Sequence, residues 1–230
     1  MSQHRTAAEA SRERILAAAT ELFAEHGYDG ATTRTIAVTA GLNVATVAYH
    51  VGSKADLYRE VMRRAHEAER AAVDAALTEF ARTAPDHPAR AAAEFADRYL
   101  DFCLQQPHVP ALWMRRWMAD AAEFADLEER YARPLLEAVR DRLVAALPQL
   151  TPDRAELAVW TVLWTTHGFC RSMIRAQVPR FRAHLRALVL RELGLGELGL
   201  GELGPGELGP GELGPGERGL RELGPGDGAL

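Results

Sequence analysis

The fold is decided by residues 32–58, TTRTIAVTAGLNVATVAYHVGSKADLY. Three polar residues inside this stretch, Thr33, Asn43 and Ser53, each stand just before a run with apolar residues at helical spacing. At such a position a side-chain oxygen satisfies one of the free backbone N–H groups of a first helical turn. The spacing predicts a short helix from Thr33 carrying Ile36, Ala37 and Ala40, closed by Gly41. Asn43 then caps a second short helix, Val44 to about Val51, and Ser53 opens a long third one, Lys54 to about Thr83. Ser53 and Asp56, three residues apart, form a short capping box. Two short helices joined by a glycine turn, the second with a polar cap, are helix-turn-helix grammar.

Working outward, the apolar period of three and four continues on both sides, and no alternating strand pattern of useful length interrupts it. Upstream, a helix is predicted from Ser11 to His26, its apolar face Ile15, Ala19, Leu22 and Phe23, stopped by Gly27. Downstream windows are bounded by proline or glycine: about Pro88–Gln106, Pro110–Met118, Asp120–Leu147, Pro152–Ala176 and Arg180–Leu193. Pro134 falls inside the third of these and is expected to kink or split it. The chain reads as all-α, with roughly nine helices. The expected organisation is a flexible arm (1–10), a three-helix helix-turn-helix domain (11–57), a larger helical domain (58–191) and a tail (192–230).

The tail is a five-residue repeat, ELGLG ELGLG ELGPG and onward from Glu192. Two glycines per repeat, often with proline, hold neither helix nor strand, and one leucine per repeat builds no core, so this segment is expected to be disordered and acidic. It also accounts for the formal charge of −5; with the tail's seven Glu, one Asp and two Arg set aside, the rest of the chain stands near +1. The polar start MSQHRTAAEASRER lacks the apolar core of a signal peptide, and no window reaches the apolar length of a membrane span. Cys103 and Cys170, both in apolar helical runs, read as small buried hydrophobes in a reduced, cytoplasmic protein without a membrane partner.

A near-neutral body carries no electrostatic footprint that announces nucleic acid by itself, so any such reading rests on motif geometry. In helix-turn-helix geometry the second helix enters the major groove of double-stranded DNA N-terminus first, and helix N-termini offer N–H groups to phosphate oxygens. Thr33, Asn43 and Ser53 stand at such starts, and Arg34 is positioned to touch phosphate or a base edge. Val44, Ala45 and Thr46 form the first turn of the recognition helix, where small and methyl-bearing side chains read thymine methyls. Tyr49 and His50 follow on the same helix. Lys54, the only lysine of the chain, fits a phosphate contact. Arg5, Arg12 and Arg14 are candidates for a basic arm. A catalytic Tyr–His–Lys cluster is disfavoured, because Tyr49 and Lys54 fall on different helices and no carboxylate is placed to orient His50. HExxH, CxxC, Gly-rich phosphate loops and GxSxG are all missing from the sequence, so neither an enzyme nor a metal or cofactor site is expected.

The stretch ILAAATELFAEHGYDGATTRTIAVTAGLNVATVAYHVGSKADLY, residues 15–58, resembles the N-terminal DNA-binding domain of TetR-family (TetR/AcrR-like) regulators. The shared pattern is LF-x-x-x-GY, TT-x-x-x-IA, AG, a capped recognition helix, YH and SK-x-x-LY. Many members carry a phosphate-contacting Tyr where Ala48 stands here, with Tyr49 one place later, and Val51 replaces the usual Phe. The resemblance implies a homodimeric repressor, paired through its last two helices and released from a pseudo-palindromic operator by a small-molecule effector. The alternative is a helical ligand- or partner-binding protein with weak or lost DNA binding, motivated by the neutral body and Ala48.

The helical domain supplies two further patterns. Ala158, Thr161, Thr165, Gly168 and Ser172 make a small-residue face suited to close helix approach at a self-association surface, with plain intrachain core as the competing explanation. Phe95, Tyr99, Phe102, Trp113, Trp117, Trp160, Trp164 and His167 are the candidate lining of a lipophilic effector pocket.

Overall fold

The structure, a computed structural model, describes residues 2–118, 121–172 and 175–196. The described residues hold nine α-helices and no strand. Helix α1 (Ser2–Gly30) begins well before the expected Ser11 start, because Ala7, Ala8, Glu9 and Ala10 ahead of Ser11 are good helix formers. Gly27 does break it: the backbone there has φ 77° and ψ 176°, a region that favours glycine, and Tyr28–Gly30 form a separate last turn.

Helix α2 (Thr33–Thr39) is capped by Thr32 rather than Thr33. The Thr32 hydroxyl accepts from the Thr35 N–H at 3.1 Å, and the Thr35 hydroxyl accepts from the Thr32 N–H at 3.0 Å. Both threonines suit a cap, but only Thr32 has a hydroxyl three places on to complete a reciprocal box. In α3 (Val44–Val51) the Asn43 side-chain oxygen accepts from the Thr46 N–H at 2.8 Å. Gly52, at φ 74°, then turns the chain into α4 (Lys54–Thr83). A Cβ on Gly52 would lie 2.9 Å from a carboxylate oxygen of Asp56, which accepts from the Ser53 N–H at 3.0 Å and closes the expected capping box.

The rest of the chain supplies α5 (Pro88–Gln105), α6 (His108–Trp117), α7 (Arg133–Ala146), α8 (Pro152–Arg171) and α9 (Val178–Glu192). The window expected as one helix from Asp120 to Leu147 is divided. A 3-10 turn (Ala122–Phe124) and a π-helical turn (Glu128–Ala132) precede α7, and Pro134 sits in the first turn of α7, where its missing N–H costs nothing. Helix α8 stops short of the expected Ala176, and α9 starts at Val178 with Pro179 in its first turn.

Fold order also runs past the expected 191/192 boundary. Gly194, at φ 72°, ends α9; the Leu195 N–H reaches back to the Leu190 carbonyl at 2.7 Å, and Leu193 and Leu195 are both buried. The first repeat unit is thus used as a Schellman cap with its apolar contact. Residues 197–230, with the rest of the expected tail, lie outside the described residues.

Two cores result. One gathers Ile15, Phe23, Tyr28, Ile36, Val47, Leu57, Tyr58 and Met62 with Leu112, Trp113 and Phe124, so α6 and the first turns of α4 belong to the N-terminal core rather than to a domain starting at residue 58. The other joins the end of α4 to α5, α7, α8 and α9 around Leu77, Phe80, Leu100, Leu143, Leu163 and Leu185.

Candidate functional site

Helix α3 lies on the N-terminal core through one fully buried side chain, Val47, with Val51 half-buried beside it. Everything else on it is free to meet a partner. Asn43, Val44, Ala45 and Ala48 are exposed, Thr46 and His50 half-buried, and Tyr49 is 85% exposed with its ring edge-on to His50 at 5.2 Å. Arg34 projects from α2 into solvent, and Thr33 is half-buried at the first turn. Val38 on α2, which sequence reading did not single out, is 75% exposed, as Val44 and Tyr49 on α3 also are in large part. Its signal was present: Ile36 and Ala37 fill the inward positions of so short a helix, leaving Val38 outside.

Lys54 has a second task. Its Nζ donates to the carbonyls of Tyr28 (2.9 Å) and Ala31 (3.2 Å) and stands 4.0 Å from the centre of the Tyr28 ring. It closes the orphan carbonyls left by the Gly27 break, which leaves one of its three donors for an outside acceptor. The expected basic arm is committed in part to the fold, since Arg12 donates to Glu60 at 3.0 Å. Arg63 and Arg64 also bind Glu60, and these hydrogen bonds, with Arg63 foremost, lower its carboxyl to about 2. The side chain of Arg5 lies outside the described residues.

The candidate pocket residues do not line one cavity. Phe95 and Tyr99 line an apolar cavity of about 70 Å³ between α4, α5, α7, α8 and α9. Trp117 and Trp160 instead border a larger cavity of about 450 Å³ lined with charge by Glu128, Glu129, Arg133, Glu137, Arg140 and Glu156. Trp113 is buried in the N-terminal core, Phe102 packs against both cores, and Trp164 is 39% exposed. Trp117 stacks on Trp113 at 5.9 Å and on His167 at 5.6 Å, so the aromatic residues make a chain between the two cores.

At the head of the apolar cavity sits a buried polar cluster. The Tyr99 hydroxyl lies 2.7 Å from Glu69 Oε1 and 2.8 Å from His167 Nε2. Burial pushes the Glu69 carboxyl up to about 7, opposed by the Tyr99 hydroxyl and the Trp113 indole, while burial alone pushes His167 down to about 3. Glu69 was missed by sequence reading, although its register marks it: Met62, Ala65, Glu69, Val73 and Ala76 all lie on the buried stripe of α4. Cys103 is buried below Tyr99, and its thiol meets that of Cys170 across α5 and α8.

The fold is therefore a helix-turn-helix unit whose outer helix is presented to solvent, joined by one long helix to a helical domain with an internal cavity. The comparisons agree. The family model described as "Bacterial regulatory proteins, tetR family" matches residues 15–61, and that described as "Tetracyclin repressor-like, C-terminal domain" matches residues 87–193. The chain belongs to the tetR family of bacterial regulatory proteins, whose members are transcriptional regulators rather than enzymes. The HTH-type transcriptional dual regulator CecR of Shigella flexneri is 48% identical over 50 residues, 22% of this chain and 22% of that protein. The HTH-type transcriptional repressor AcnR of Corynebacterium glutamicum is 40% identical over 53 residues, 23% of this chain and 28% of that protein. The chain thus spans about a quarter of these curated relatives. Among solved structures, Mycobacterium smegmatis AmtR superimposes with a TM-score of 0.60 at 22% identity, covering 80% of this chain and 86% of that one. A TetR-like transcriptional regulator from a Rhodococcus species gives a TM-score of 0.59 at 17% identity, covering 80% and 96%. Among the described residues no helix is long and apolar enough to cross a membrane, and no group of three or more potential ligands is placed to hold a metal ion.

Proposed function

We propose that the chain is a homodimeric, DNA-binding transcriptional repressor released from its operator by a small lipophilic effector. The observation that carries the DNA reading is the exposure of Tyr49 beside the capped start of α3: a large aromatic held 85% in solvent costs apolar hydration unless a partner covers it. Asn43, Val44, Ala45 and Thr46 face the groove floor in this reading, with Thr33, Arg34, Tyr49, His50 and the remaining Lys54 donor toward the backbone. The relatives named above as a repressor and a dual regulator support a regulator matched in the DNA-contacting segment.

Dimerisation through α8 and α9 is supported by Leu157 (66% exposed) and Trp164 (39% exposed), which share a face of α8 with Thr161 and Gly168. Two such copies place two recognition helices one or more helical turns apart on a pseudo-palindromic site. An effector in the helical domain acts by favouring one of two spacings, which requires different affinity for the two states.

The test is binding of the full chain to its own upstream DNA across a salt series. A sequence-specific complex that weakens steeply with salt is expected; its absence even at low salt leaves the ligand-binding protein without DNA activity as the better reading.

A further inference from the structure

We propose that the cavity between α4, α5, α7, α8 and α9 takes a ligand with a small apolar body and a single cationic nitrogen, an alkyl amine or its ammonium equivalent, whose charge docks on Glu69. This rests on reading the helical domain as effector-binding and adds the chemical class of the effector.

The lining gives both halves of the ligand. Val73, Phe95, Leu136, Val139, Val159 and Val189 represent walls that are apolar throughout, and Glu69 and Tyr99 are the polar residues of the lining. At about 70 Å³ the space holds several water-sized groups, which keeps the apolar body of a ligand small. Among the described residues Glu69 forms no ion pair with a lysine or arginine; the basic group beside it is His167, at 3.8 Å, and burial keeps that imidazole neutral. Asp97, a partly buried acid of the same domain, is by contrast answered by Arg182 and Arg186. The groups facing Glu69 are Tyr99 and Cys103 from α5, His167 from α8 and Trp113 from α6, whereas α7 and α9 bring only aliphatic side chains to the cavity. Buried charges are paired or neutralised, and the ionised form of Glu69, bonded here only to neutral groups, gains from a cation placed beside it. A cationic head completes it; a carboxylate or phosphate head meets a like charge. Because burial holds the Glu69 carboxyl near 7, docking a cation below that pH ejects its proton.

The experiment uses the full chain and three chain-matched probes: octylammonium, 1-octanol and octanoate. Binding is followed by tryptophan fluorescence and by calorimetry at pH 6 in two buffers of different ionisation enthalpy. Octylammonium is expected to bind most tightly and to release close to one proton, a readout that needs no variant. Glu69→Gln is expected to weaken octylammonium by about tenfold or more, abolish the proton release and leave 1-octanol within about twofold. Equal or tighter binding of octanol or octanoate, or octylammonium binding without proton release, overturns the cationic class while the cavity remains an effector site. If none of the three binds, the effector reading falls and the proposal falls with it.

Discussion

Arg115 on α6 donates its guanidinium to the carbonyl of Ala24 at 2.8 Å, and also to that of Glu25, at the point where α1 runs into the Gly27 break. The pair lies at the junction of the two halves of the molecule. Two residues beyond Arg115, Trp117 stacks on His167, which in turn is bonded to Tyr99 and the cavity. A charged fork on free helix-end carbonyls satisfies groups that no intrahelical donor reaches. It also ties the position of α6 to the DNA-facing unit.

Arg115→Met keeps the stem and removes the fork. Loss of two partly exposed charge-assisted bonds is expected to cost about 1 kcal/mol of stability. The stronger expectation concerns coupling: the ratio of operator affinities with and without effector should shrink about fivefold. Binding isotherms for wild type and variant, each with and without effector, measure it. An unchanged ratio with lowered stability would make Arg115 a simple structural tie.

Tyr49 makes a separate prediction because it touches so little. At 85% exposure its replacement by Ala should leave the thermal midpoint within about 1 °C. Operator affinity should drop about tenfold if the ring lies along the phosphate backbone. Tyr49→Phe separates hydroxyl from ring: retention of wild-type affinity assigns apolar contact, and loss equal to that of Ala assigns a hydrogen bond. Equal affinity for all three proteins would place Tyr49 outside the interface.

The sequence announced these elements unevenly, and the reasons are physical. Asn43 and Ser53 caps, the α3 span and the start of α4 follow from residues within four positions of one another, where local chemistry decides. The cap of α2 was expected at Thr33 and lies one residue earlier, at Thr32, because the Thr35 hydroxyl completes the box there. The Arg115 tie was illegible because its partners are 91 residues apart and one of them is a bare carbonyl, which any residue type offers. Glu69 was legible in register yet overridden by residue type, since glutamate on a long helix normally faces water. The aromatic residues were read as one pocket because aromatics mark cores and pockets alike; α6 divides them between two cores and two cavities.

Acid should release the clamp between α1 and α4. Arg12, Arg63 and Arg64 hold Glu60 at about 2, below its ordinary 4.5. A depressed carboxyl contributes stability that is fully present above the unfolded value and is lost as pH falls through the folded one. The window is therefore about pH 4.5 down to about 2. Because the arginines are more than one third exposed, the contribution is about 1 kcal/mol at most after screening. Glu60→Gln should remove that part of the acid transition and lower stability at pH 7 by a similar amount, as read from urea midpoints at both pH values. An identical pH dependence in wild type and variant would assign the acid sensitivity elsewhere.

Self-association gives the last prediction. Leu157 and Trp164 share one face of α8 with Gly168 and Thr161; Leu157 is 66% exposed, and Trp164, packed on one side against Trp117, still exposes 39% of its surface. A large exposed leucine and tryptophan at helical spacing, with small residues between them, let a second α8 approach closely. Leu157→Arg places like charges against each other across a two-fold contact, where each copy repeats the change. Sedimentation of the variant should give a monomer at concentrations where the wild-type chain is a dimer. Its helical content and thermal midpoint measured as a monomer should be nearly unchanged, since Leu157 is 66% exposed before association. Operator affinity should fall by about two orders of magnitude, because two half-sites linked through one dimer bind as a unit and separated copies do not. A variant that stays dimeric would move the interface off this face of α8, and one that is monomeric yet binds the operator as before would uncouple pairing from DNA recognition.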